Sequence, residues 1–262
     1  MSVAPDLSSL KKRLDRYFGD ENKSKEMERL RGIRKRHLDQ FENVGVVGGL
    51  VRDFARGGRA AFKSDLDLVI EASSVEVACF AEHVGASPNR FGGYGFVDGP
   101  WKIDFWALER TWAATSGHVQ VNHLPDVIRS TFFDWDAVVY DIKRKKLSCD
   151  IDYLERIRSS RLEINLRANP SELGNLLRAA RRIIRWGLEP GPILRSFIVE
   201  RLDGQAFDRM RAEERRKFSF RVTDEYDDAE KLRHALLIAP RCRAKDPDQM
   251  DMDFGSNADL VA

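Results

Sequence analysis

Over residues 7–42 apolar side chains recur about once per helical turn, with Met27, Leu30, Ile33, Leu38 and Phe41 set among Lys, Arg and Glu. That period predicts one or two charged amphipathic helices. At Val44 the pattern changes. The run VGVVGGLVRDFARGG places a short apolar segment, a glycine pair and an amphipathic stretch in succession, and predicts strand, tight turn and helix. KSDLDLVIEA then alternates, so a strand there carries Asp65, Asp67 and Val69 on one face and Leu66, Leu68 and Ile70 on the other. Ser74 to Val84 reads as a helix. FGGYGFVDGPWKIDFWAL reads as a hairpin turning at Asp98-Gly99, and its second strand, Trp101 to Leu108, puts Asp104 on one face with Lys102 and Trp106.

Beyond a loop holding His118 and His123, FFDWDAVVYDI predicts a further strand or short helix. LSCDIDYLERIRSSRLEINL then leads into helical texture. NLLRAARRIIRWGLEPGP is a strong helix stopped by Gly187 and Pro190, and ILRSFIVERL and AEKLRHALLIAP extend the helical part. Residues 241–262 have no apolar period and many acids, the pattern of a flexible tail. No internal repeat is present. The boundaries that follow are charged helices over 1–43, a mixed α and β region over 44–150, a helical region over 151–240 and the tail.

Composition narrows the class. The 262 residues include 44 Lys and Arg against 42 Asp and Glu, 42% are hydrophobic and 10% aromatic, enough for a real core and too much for a disordered chain. No window approaches the ~20 apolar residues of a membrane span, and the first residues lack the apolar run of a secretory signal. A cytoplasmic protein with no membrane partner is expected. Cys79, Cys149 and Cys242 are dispersed and odd in number, which fits reduced thiols better than a disulfide framework or a zinc cluster. The net charge of +2 says little about nucleic acid as a partner.

Three weak signals stand in an informative order. Gly48-Gly49 at a strand-to-helix turn lets backbone N–H groups approach a phosphate closely, and Arg52, one turn on, can add a charged contact. Asp65 and Asp67 form an acidic pair of a kind that chance alone supplies about seven times in such a composition. Their setting is the stronger point: two carboxylates on one face of an apolar strand repel unless a cation stands between them, and hard divalent ions favour that oxygen-only environment. Asp104, a lone acid in a second apolar strand, is expensive unless paired or liganded. Together these pieces would compose a two-metal phosphoryl-transfer site.

Gly48-Gly49-Leu50-Val51-Arg52-Asp53 followed by Ser64-Asp65-Leu66-Asp67-Leu68-Val69 resembles the GG-x-VRD and DxD signature of the DNA polymerase β-like nucleotidyltransferases, closest to the bacterial branch of CCA-adding enzymes and poly(A) polymerases. Asp136-Ala137-Val138-Val139-Tyr140-Asp141 is similar to that branch's NALAYD segment, and Leu177 to Leu188 to its neck helix. The resemblance covers residues 44–190. It implies an α+β protein with a small mixed-sheet, palm-like catalytic head followed by a helical neck. It also implies two Mg²⁺ ions, replaceable by Mn²⁺, held by Asp65, Asp67 and Asp104 as catalytic metal ligands. Gly48, Gly49, Arg52, Ser64 and Asp136 would hold the nucleotide, with the neck as the far wall of its pocket.

The departures from the family matter as much. Ser130-Thr131-Phe132-Phe133-Asp134 replaces an Arg-Arg-Asp-Phe-Thr stretch, Asp136 replaces Asn, and Ser171-Glu172-Leu173-Gly174-Asn175 lacks the Asp and Arg that read C and A. Faithful CCA addition is therefore not expected. The resemblance does not extend to the long helical body that grips the tRNA elbow in that branch, so a smaller acceptor or a different grip is expected. Arg178, Arg181, Arg182 and Arg185 form a basic stripe on the neck, usually a solvated face; the resemblance turns Arg178 and Arg181 toward triphosphate or acceptor phosphates. Trp101, Trp106 and Trp112 read as core or rim packing before base stacking. His118 and His123 have the spacing of neither a zinc pair nor a triad.

The expected activity is transfer of a nucleoside monophosphate from an NTP to a hydroxyl, first an RNA 3′ end, tRNA included. Template-free oligonucleotide synthesis and transfer to a protein or small molecule are alternatives, as is a non-catalytic nucleotide- or RNA-binding module. The charged N-terminal helix and the acidic tail leave room for a regulatory protein partner.

Overall fold

The structure is a computed structural model and describes residues 2–19, 23–62 and 65–238. The predicted tail over 241–262, Cys242 and Ser64 lie outside the described residues. The chain divides into two units, residues 1–158 with 165–170, and 159–164 with 171 onward.

The first unit opens with α1 (Leu7–Phe18) and α2 (Lys25–Ile33). Asp6 and Ser24 accept the N–H groups of Ser9 and Met27 and so cap the two helices. A π-helical turn, Arg34–Leu38, prolongs α2. There follow β1 (Val44–Val47), α3 (Gly49–Gly57), β2 (Leu66–Ile70) and α4 (Ser74–Val84), the last framed by a Ser73–Glu76 capping box and a left-handed Gly85. Then come β3 (Ser87–Pro88), β4 (Tyr94–Asp98), β5 (Trp101–Ala107), α5 (Trp112–Thr115), β6 (Val138–Asp141), β7 (Lys146–Cys149) and α6 (Tyr153–Arg158).

Seven strands form one mixed sheet in the order β3-β4-β5-β2-β1-β6-β7. Only β2 and β5 pair in parallel; the chain crosses between them through α4 and the β3–β4 segment. The hairpin turn sits one residue later than the sequence pattern placed it: Asp98 pairs with Trp101, and the loop is Gly99-Pro100 with Gly99 at φ +62°. The FFDWD stretch is a 3₁₀ turn over Asp134–Asp136, and the strand begins after it.

One face of the sheet is apolar and packs under the N-terminal helices: Phe18, Met27, Leu30, Leu38, Val46, Leu66 and Leu68 line a small void there. Phe18 stacks on Tyr140, whose hydroxyl donates to Asp15 at 2.7 Å, so α1 is docked on β6. On the other face Val69, Leu108, Leu124, Val127 and Val139 cluster beneath the 3₁₀ segment Leu124–Ser130.

The second unit contains β8 (Arg161–Leu162), α7 (Glu172–Trp186), β9 (Glu189–Pro190), α8 (Pro192–Arg201), α9 (Gly204–Lys217) and α10 (Ala229–Leu237). β8 and β9 make a two-stranded parallel sheet. Gly187, at φ +62°, ends α7 in the left-handed conformation that a β-carbon disfavours, as its place in the sequence predicts. The chain is thus an α+β protein, a mixed-sheet unit followed by a helical one. No helix among the described residues is long and apolar enough to cross a membrane.

Candidate active site

Parallel pairing of β2 with β5 makes Asp67 and Asp104 direct partners. Neighbouring strands lie about 4.8 Å apart, so the two carboxylates leave the same face side by side. Asp65 shares that face two residues earlier. On β5 the odd positions, Trp101, Ile103, Phe105 and Ala107, are buried, while Lys102, Asp104 and Trp106 are half-buried on the side of the acids. This is the face that carries the Leu124–Ser130 cluster.

The neighbouring strand supplies room. Gly95 pairs with Asp104, and a β-carbon there would stand 2.5 Å from Asp104 Oδ1. A β-carbon on Gly93 would stand 2.4 Å from the Trp106 indole. Both glycines are positions at the edge of this acidic face that sequence reasoning passed over; their period-two spacing within FGGYG was the available signal.

A second omission is Lys102. Its Nζ lies 2.5 Å from Asp65 Oδ2 and 3.9 Å from Asp104 Oδ2. Among the described residues no three acidic, histidine or cysteine side chains close on one point as a ready metal cage; the cation standing between these carboxylates is an ammonium. The acids are nevertheless unsettled. Burial, then the charges of Asp104 and Asp65, push the Asp67 carboxyl up to about 8 against the opposing pull of Lys102. Burial raises Asp104 as well, with Asp65 adding to it and Lys102 opposing.

The glycine turn lies at the same end of the sheet, because β1 runs antiparallel to β2 and therefore ends where β2 starts. Gly48 has φ +60° and ψ −116°, a conformation closed to other residues, and its N–H donates to Val138 O at 3.3 Å. As the residue preceding α3 it brings no capping side chain, so the first turn of α3 presents its backbone N–H groups uncapped.

Arg52 is placed differently from expectation. It is buried, Nε donates to Asp53 Oδ1 at 3.0 Å, and Nη1 donates to Asp136 Oδ1 at 2.8 Å. Burial alone would lower its pKa, and the Asp53 and Asp136 charges outweigh that and raise it. Two residues expected to reach a nucleotide thus hold each other, and Arg52 braces the turn from α3 to the segment before β6. The acid at 136, where the resembling NALAYD motif has Asn, explains the pairing.

Arg178 and Arg181 belong to the second unit. Arg178 is exposed, with Nε directed at Gly174 O at 3.4 Å. Arg181 is not part of a solvated stripe. It is buried, bonded to Glu214 and to Phe220 O, with its guanidinium 3.7 Å from the centre of the Phe218 ring. Glu214 is itself fully buried and also accepts from Val222 N, Thr223 N and Thr223 Oγ1. The expectation of a phosphate contact for Arg181 is therefore corrected: period 3.6 marked the residue's side of α7, but α9 covers that side. Trp101 is core, donating to Glu26 O at 2.9 Å, and Trp112 packs on His118. His123 lies 3.1 Å from Glu71 on the surface.

The sequence matches no protein-family model, and no curated protein is similar to it. Solved structures are. The Thermotoga maritima CCA-adding enzyme complexed with tRNA is 19% identical with a TM-score of 0.50, over 80% of this chain and 51% of that one. A CCA-adding enzyme with CTP is 20% identical with a TM-score of 0.50, over 81% and 52%. A tRNA nucleotidyltransferase complexed with a primer tRNA and an incoming ATP analog is 20% identical with a TM-score of 0.50, over 74% and 57%. The chain spans little more than half the length of these enzymes. What this likeness establishes is a fold shared with these CCA-adding and tRNA nucleotidyltransferase structures.

Proposed function

We propose that the protein is a Mg²⁺-dependent nucleotidyltransferase that moves a nucleoside monophosphate from an NTP to a hydroxyl, with an RNA 3′ end as acceptor. One observation carries the reading. The strand register sets Asp67 beside Asp104, with Asp65 on the same face, at the end of the sheet where the Gly48-Gly49 turn opens α3.

The donor set fits divalent ions. It is made of hard carboxylate oxygens, and Asp67 is held far from its ordinary pKa by burial and by two neighbouring acids, a destabilisation that a cation relieves. Asp65 and Asp67 would hold both ions and Asp104 one of them. When bound, the ions supply activation of the acceptor hydroxyl and neutralisation of the leaving pyrophosphate. The chain's own part is positioning. The uncapped N–H groups at the start of α3 favour the triphosphate oxygens, Arg52 fixes that turn, and Gly95 leaves space beside Asp104 for the incoming hydroxyl. In the reaction the hydroxyl gives up its proton, for which the Asp104 carboxylate would be the neighbouring acceptor, its oxygen bonds to the α-phosphorus, the bond to the bridging oxygen breaks, and pyrophosphate departs with its electrons. The likeness to enzymes solved with tRNA and nucleotides favours an RNA acceptor. Ser64 is carried as a nucleotide ligand on the motif resemblance.

The test is incubation of the protein and of an Asp65→Ala, Asp67→Ala double variant with Mg²⁺ and each labelled NTP, with and without cellular RNA. Label entering RNA only with the unmodified protein is the expected result. Label in short products without RNA would replace this acceptor with another nucleotide, and no incorporation under any condition would overturn the reading.

A further inference from the structure

Lys102 has no role in the chemistry above, yet it occupies its centre. Its side chain is 27% exposed, its Nζ is bonded to Asp65 at 2.5 Å, and it stands 3.9 Å from Asp104. It lies two residues before Asp104 on the same strand, so the pleat fixes its direction toward the acids. The β-carbons of Gly95 and Gly93, which would crowd this face, are absent.

We infer that Lys102 is a resident counter-ion that suppresses divalent-ion binding in the nucleotide-free protein and makes ion loading depend on the triphosphate. The inference rests on the proposed nucleotidyltransferase reading. Its physical content is a balance of charge. Three carboxylates on one sheet face attract a free divalent ion strongly. An ammonium bonded to one of them and close to a second both neutralises part of that field and takes up an Asp65 oxygen that an ion would need. An NTP brings several negative charges of its own, so that ammonium and divalent ions can be accommodated together. Nucleotide and ion then bind with positive coupling, which by linkage is the same whichever is added first. An enzyme built this way takes up ion and NTP together and carries little free metal between turnovers.

The test is titration with Mn²⁺, followed by electron paramagnetic resonance of the free ion, with and without a non-hydrolysable NTP analogue. Unmodified protein, Lys102→Met and Lys102→Arg are compared. A unit charge about 4 Å away acts through an effective dielectric near 20 with enough energy for more than a tenfold change in affinity. Lys102→Met is therefore expected to bind Mn²⁺ at least ~10-fold tighter than the unmodified protein without nucleotide, and to show a smaller gain on adding the analogue. Lys102→Arg, which keeps the charge, should behave as the unmodified protein. Equal or weaker Mn²⁺ binding by Lys102→Met, or by Lys102→Gln if the Met variant does not fold, overturns the inference. Failure of the nucleotidyltransferase reading shows separately, as unmodified protein that binds no Mn²⁺ even with the analogue.

Discussion

Asp67→Asn should make the ion-free protein more stable at alkaline pH while abolishing its response to Mg²⁺. Burial and the charges of Asp104 and Asp65 place the folded-state carboxyl at about 8 against an ordinary 3.8. A carboxyl raised on folding is protonated more readily in the folded chain. Its favourable effect is therefore complete below about pH 4 and is lost as the pH rises through about 8. Each unit is worth about 1.4 kcal/mol. Because Asp67 is only half-buried, the full displacement has to be discounted for solvent screening, and about 2 kcal/mol is a reasonable expectation at pH ~8.5. For a chain of this size that corresponds to roughly 4–8 °C in Tm. The assay is thermal unfolding of both proteins in chelator at about pH 8.5 and about pH 5, repeated with Mg²⁺ and a non-hydrolysable NTP analogue. The variant should melt higher at the alkaline pH, the gap should shrink on acidification, and Mg²⁺ given with the analogue should raise only the unmodified protein. A variant that melts at or below the unmodified protein at alkaline pH would refute the electrostatic account of the site.

Three further outcomes follow from the geometry. Gly95→Ala places a β-carbon 2.5 Å from Asp104 Oδ1 and must displace that carboxylate; incorporation of labelled nucleotide should fall by roughly 10–100-fold, with circular dichroism and Tm nearly unchanged. Gly48→Ala forces a β-carbon onto φ +60°, ψ −116° and should cost about 1–3 kcal/mol by denaturant unfolding, together with weaker NTP binding. Glu214→Ala leaves Arg181 buried without its carboxylate and should destabilise the second unit by about 3–5 kcal/mol. Amide exchange in α7 and α9 would report that loss, and unchanged protection there would contradict a structural role for the pair.

The elements of the first unit were legible wherever one period ruled a whole segment. Alternation over 65–70 and 101–107 put Asp67 and Asp104 on their strands and on one face of each, although β2 begins one residue after Asp65. The helix read over Ser74–Val84 is α4 to the residue. Less was legible where a partner distant in sequence decides the outcome. Arg52 and Asp136 are 84 residues apart and read separately as nucleotide ligands; folding makes them an ion pair. Arg181 is one of four evenly spaced arginines, and only the arrival of Glu214 from α9 separates it from the exposed Arg178.

By itself the sequence determined which residues could be catalytic and to which side of its own strand each is turned, because the side-chain period of a strand is local. It also determined the glycine turn, since residue type alone allows φ above zero at Gly48. Tertiary structure decided the rest. The parallel register between β2 and β5 makes Asp67 and Asp104 neighbours; a slip of one residue would send one of them to the apolar face. The same register brings Lys102 within reach of Asp65 and Asp104 and sets Gly95 beside Asp104. Charge compensation depends on distances across strands, and no pattern along one strand contains them.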